Sequence, residues 1–83
     1  MADKSTKKEY ELRGVLAKNV RAFRLQKHWS QENLAEESGL HRTYIGSVER
    51  MERNVTLSTL ETLASALDVT VIELLTQHGI DEK

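Results

Sequence analysis

Cysteine and proline are both absent from the 83-residue chain. Without thiols there are no disulfides, no thiolate nucleophile and no zinc site built on Cys ligands, so whatever stabilises the fold is burial. Aromatic residues make up only 5% and glycines number four. Apolar runs stop at three or four residues, far below the ~20 needed to cross a bilayer. The opening MADKSTKKEYE has no apolar stretch of the signal-peptide kind, so the chain is read as cytoplasmic, with no membrane partner. Catalytic motifs are missing as well: there is no G-x-S-x-G, no phosphate-binding glycine loop, and no nucleophile with a base at motif spacing. No enzyme is expected. His28, His41 and His78 are too dispersed for a local metal motif, and the acidic residues follow no ligand spacing. No cofactor, metal or small-molecule ligand is therefore expected.

What remains is 39% hydrophobic and 30% charged residues in one domain's length of chain, the composition of a soluble helical protein. A chain of this size hides only ~60 to 65% of its unfolded surface, so its stability is modest and association would help. The net charge of -1 conceals a division. Residues 1–53 carry eleven basic and eight acidic side chains, whereas residues 54–83 carry one lysine and five acids. A basic half beside an acidic half suits one face for a polyanion and another for a different task.

The spacing places Leu12, Leu16, Val20 and Phe23 on one face of a helix running to about His28, preceded by a polar extension over 1–11 expected to be mobile. Ser30 is placed as an N-cap with Glu32 near the positive end of the dipole, so a second helix starts at Gln31, and Trp29 can staple onto Leu34. Gly39 ends this helix, with Leu40 placed for a Schellman contact. A third stretch, Arg42 to Arg50, buries Ile45 and Val48. A fourth helix begins either at Thr56 or at Ser58 with Glu61 as a capping box, carrying Leu57, Leu60, Leu63, Ala64 and Leu67 as its stripe. Thr70 with Glu73 forms another capping box and opens a fifth helix that fades before Gly79. The domain is expected over 12–78, followed by a tail at 79–83.

Two short helices joined by a tight glycine turn, the second thinly apolar, form a helix-turn-helix, whose second helix enters the DNA major groove. Only side chains in its first turns reach base edges. Arg42, Thr43 and Ser47, with Tyr44 beside them, are the candidate readers; Arg42 can fork onto guanine O6 and N7, and Thr43 can offer a methyl or a hydroxyl.

The run SQENLAEESGLHRTYIGSVER at 30–50, followed by NVTLSTLETLASALDV at 54–69, resembles the Cro/C1-type (XRE) helix-turn-helix family over about 60 residues. Within it, Leu40 to Arg50 is similar to the controller proteins of restriction-modification systems. The resemblance implies an all-α, five-helix, lambda-repressor-like DNA-binding domain. It further implies a homodimer on a palindromic operator in double-stranded DNA, regulating transcription without catalysis, with RNA polymerase as a further partner. A phage-type repressor, or an antitoxin or adaptor working through protein contacts, is the alternative within the same fold. The family roles map onto Gln31 as a phosphate ligand bracing the recognition helix, and onto Arg24 and Glu49 as an internal ion pair. Arg50, Arg53 and Asn54 map onto the phosphate clamp, Arg53 being otherwise a solvated loop residue; Ser30 serves as cap and phosphate ligand. Three positions depart from the pattern. Met51 and Asp68 stand where glycine is frequent, and His41 stands where Ser or Thr caps; His41 could instead touch DNA.

Dimerisation has its own signal in Val71-Ile-Glu-Leu-Leu75, apolar on two faces. Ile72 and Leu75 are expected to face the domain, leaving Val71 and Leu74 for a dimer interface unless Leu74 packs under the N-terminal segment.

Overall fold

The computed structural model describes residues 2–78, with side chains from residue 12 onward; the expected tail at 79–83 lies outside the described residues. Among the described residues every regular element is a helix: α1 (Ala2–Gln26), α2 (Gln31–Ser38), α3 (Arg42–Glu49), α4 (Leu57–Leu67) and α5 (Val71–Leu75). The segment expected as an extension is thus the first part of α1, which begins at Ala2 rather than Leu12. Apolar spacing cannot register a polar stretch. Ala, Lys and Glu favour the helix, however, and neither Gly nor Pro interrupts the sequence before Gly14.

Local chemistry sets the other boundaries. Ser30 Oγ accepts from Asn33 N at 3.0 Å while Asn33 Oδ1 accepts from Ser30 N at 2.9 Å, a reciprocal cap that starts α2. Gly39, at φ 76°, ends it with one bond from its N–H to Ala35 O, the αL motif rather than the expected Schellman pair. Leu40 N donates instead to Ser38 Oγ. Thr56, not Ser58, caps α4, and Thr70 with Glu73 closes the expected box on α5.

Three helices end on non-glycine residues in the left-handed region: His28 after α1, Met51 after α3 and Asp68 after α4. Each carries the paired Schellman bonds, for example Met51 N to Val48 O and Glu52 N to Ser47 O. The backbone strain is about 1–2 kcal/mol per residue, least for Asp. Side-chain contacts offset part of it. The Met51 thioether lies over Gly14 of α1, and Asp68 accepts from Lys27 Nζ at 3.0 Å, joining the ends of α1 and α4.

The core is built from Leu16 and Val20 of α1, Leu34 of α2, Ile45 and Val48 of α3, Leu60, Leu63 and Leu67 of α4, and Leu74 of α5. Two expected facings are corrected. Leu57, at the first turn of α4, is 78% exposed rather than part of the stripe. On α5, Leu74 is 0% exposed and Ile72 76%, the reverse of the expected roles. Asn19 explains the α5 orientation. Buried on α1, it donates from Nδ2 to Leu74 O at 2.7 Å and to Thr76 O at 2.9 Å, satisfying carbonyls that the end of so short a helix leaves open and fixing how α5 lies.

Candidate nucleic-acid interface

α2 and α3 pack on each other through a three-residue turn, with α1 behind α3 and α4 behind α2. α3 is enclosed on two sides, so four consecutive residues, Ile45 to Val48, are buried. Gly46 and Ser47 permit this by being small. A Cβ on Gly46 would stand 3.1 Å from Arg50 Nη1 and 3.4 Å from Gln31 Oε1. The face of α3 left open is its first turn, where Arg42 and Thr43 are exposed and Tyr44 is half-buried.

Ser47 therefore does not stand among the free readers: it is 5% exposed. Its hydroxyl donates to Tyr44 O at 2.8 Å and accepts from Arg53 Nε at 3.0 Å. That bond lays the Arg53 guanidinium over the Tyr44 ring, 5.3 Å from its centroid. Arg53 is consequently held against the recognition helix. His41 caps α3 after all, its Nδ1 accepting from Thr43 N at 3.2 Å, so in that state Nδ1 is unprotonated and any ring N–H is on Nε2.

Behind the open face lies the expected ion pair. Arg24 Nε and Nη2 fork onto Glu49 Oε2 and Oε1 at 2.7 and 2.9 Å, and Arg24 Nη1 donates to Trp29 O at 2.9 Å. Gln31 Nε2 donates to Glu49 Oε1 at 3.0 Å. Three elements thereby share one carboxylate: α1 through Arg24, α2 through Gln31, and α3 through Glu49 itself. The proton on Arg24 is held more tightly than usual, chiefly by its hydrogen bond to Glu49; burial opposes this and the carboxylate charge adds to it. Of the residues expected at phosphate, Gln31 is half-buried, with its amide oriented by Glu49, while Ser30, Arg50 and Asn54 are exposed. The Ser30 hydroxyl accepts the cap bond and keeps its own proton to donate. Arg50 Nε is 3.2 Å from Glu52 Oε2, an exposed pair that sequence reading passed over because Glu52 matches no motif.

Among the described residues no three His, Cys, Asp or Glu side chains are grouped to hold a metal ion, and no helix is long and apolar enough to cross a membrane.

Known proteins share this arrangement. The helix-turn-helix family model HTH_3 matches residues 20–74. The control protein C.SmaI of Serratia marcescens is 61% identical over 70 residues, covering 84% of this chain and 83% of that protein. The crystal structure of the hypothetical transcription factor NHTF from Neisseria superposes with a TM-score of 0.81 at 47% identity, over 89% of this chain and 85% of the other. The restriction-modification controller protein C.Esp1396I, solved as a tetramer in complex with its natural 35 base-pair operator, gives a TM-score of 0.69 at 36% identity, over 78% and 96% of the two chains.

Proposed function

The chain belongs to the HTH_3 helix-turn-helix family, of Cro/C1 type, and from that premise we propose that it is a sequence-specific transcriptional regulator of double-stranded DNA. It acts as a homodimer on a palindromic operator, as the controller of a restriction-modification system, in the cytoplasm, with RNA polymerase as the protein it works on. The observation that carries the reading is the open first turn of α3. Arg42 and Thr43 stand exposed on a short helix whose rear is fixed by a shared buried carboxylate, so the reading groups need little reorganisation on binding. Arg42, Thr43 and Tyr44 read base edges; Ser30, Gln31, Arg50 and Asn54 position the backbone. The likeness to C.SmaI and to C.Esp1396I supports the controller role.

The corrected facing of α5 supports a dimer seam at Ile72. Ile72 is three-quarters exposed on the acidic half of the chain, where a two-fold contact would set two recognition helices ~34 Å apart. Ile72, with half-buried Val71 beside it, takes the place expected of Leu74. Ile72→Glu is expected to lower the sedimentation mass toward one chain with the far-ultraviolet helical signal intact, since the side chain touches little of its own domain and an acid in a first helical turn is favourable. An unchanged dimer would remove α5 from the seam.

The function itself is tested by selecting bound duplexes from a random pool and measuring their binding by gel shift at low salt and again near 0.15 M salt. A palindromic consensus that survives screening is expected. Binding that fades equally for all sequences would leave a domain working through protein contacts.

A further inference from the structure

We propose that Ser47 is a positioning residue that converts Arg53 from a loop cation into a base reader, an inference that rests on the DNA-binding reading above. Arg53 lies in the loop after α3, where its place in the sequence suits a phosphate contact or a solvated side chain. The side chain is exposed but tied to the protein. Its Nε–H is bonded to the buried Ser47 hydroxyl at 3.0 Å, and its guanidinium lies over the Tyr44 ring.

A guanidinium held at Nε and laid against an aromatic face has its Nη1 and Nη2 protons, including the Nη1–Nη2 edge, left for a ligand. That edge is a two-donor fork that fits guanine O6 and N7 as it fits phosphate; its seat over the Tyr44 ring, beside the exposed first turn of α3, is what assigns it to the bases. Ser47 is the fixed point of the arrangement. Its own proton is committed to Tyr44 O at 2.8 Å, which turns an oxygen lone pair toward the loop to receive Arg53. Arg53 is thus oriented by a buried hydroxyl that is itself anchored to the backbone of Tyr44. Without it, Arg53 would have to be ordered at the moment of binding, and affinity would fall by the cost of immobilising one long side chain.

The test separates positioning from fold. Ser47→Ala suits a buried helical position, leaves Tyr44 O its ladder partner and exposes Arg53 Nε to water, so its melting curve is expected to match that of the parent chain. Three variants, S47A, R53A and the double replacement, are titrated against a duplex selected by the parent chain and a scrambled duplex of equal length. S47A is expected to lose about 3- to 10-fold in affinity for the selected duplex and less than about 2-fold for the scrambled one. It is expected to lose nothing further in the R53A background, the non-additivity of two residues acting as one unit. Reselection with S47A and with R53A should relax the same base-pair position. Losses that add, or that fall equally on both duplexes, overturn the role of Ser47 while leaving the regulator reading intact. A parent chain that selects no sequence overturns both.

Discussion

Glu49→Ala is expected to lower the thermal midpoint by about 15 °C or more, enough to leave much of the chain unfolded at 37 °C. The carboxylate accepts from Arg24 twice and from Gln31 once, and the two charged side chains are 8% and 5% exposed. Removing it leaves a buried guanidinium whose one remaining partner among these bonds is Trp29 O. Breaking one side of such a pair costs about 3–5 kcal/mol. In a domain of this size each kcal/mol moves the midpoint by about 4–8 °C. The penalty lies in the orphaned charge, so Arg24→Met combined with Glu49→Leu should recover most of the loss, since apolar replacement of both partners is often neutral. Circular dichroism melts of the single and double variants check this; a midpoint for Glu49→Ala within about 5 °C of the parent would sink it. Alkaline pH should not reproduce the effect. A raised affinity for the Arg24 proton means that its contribution is complete below the ordinary guanidinium value and fades only as pH climbs through the still higher folded one.

The parts of this fold that were legible in the sequence are those specified by neighbours in the chain. Ser30, Gly39, Thr56 and the Thr70–Glu73 box each act within three or four residues, so α2, α4 and α5 start where their caps stand. Facing is a different matter on short helices. α5 has five residues, and Val71, Ile72, Leu74 and Leu75 divide between two faces that spacing cannot rank; the choice falls to Asn19, 55 positions away from Leu74, which binds the end of α5. A polar residue on an amphipathic helix gives no sign of such a partner. Ser47 failed for a related reason. Ile45 and Val48 predict a narrow buried stripe, but α3 is packed between α1 and α2, and small residues are what let those helices approach. The Arg24–Glu49 pair came from the family resemblance alone, because 25 residues separate its members and nothing local joins them.

That buried frame determines what the loss of a reader should look like. Arg42→Ala is expected to cost about 1–3 kcal/mol per half-site, roughly 5- to 150-fold, concentrated at one base-pair position in each arm of the selected sequence. Arg42 is exposed in the first turn of α3 and no hydrogen bond or ion pair ties its side chain to another described residue, so the melting curve should not move. The position should become degenerate on reselection. The dependence on salt should change little in comparison with Arg50→Ala, whose loss should fall on all sequences alike and reduce the salt slope by about one unit. Arg42→Lys separates charge from geometry: a lysine restores attraction to DNA without the planar fork, so it should recover affinity for scrambled duplexes before it recovers discrimination. Equal losses for Arg42→Ala on selected and scrambled DNA would place Arg42 on the phosphates. The major-groove face would then have to begin at Thr43, beyond the reach of the one side chain in that turn able to grip guanine with two parallel bonds.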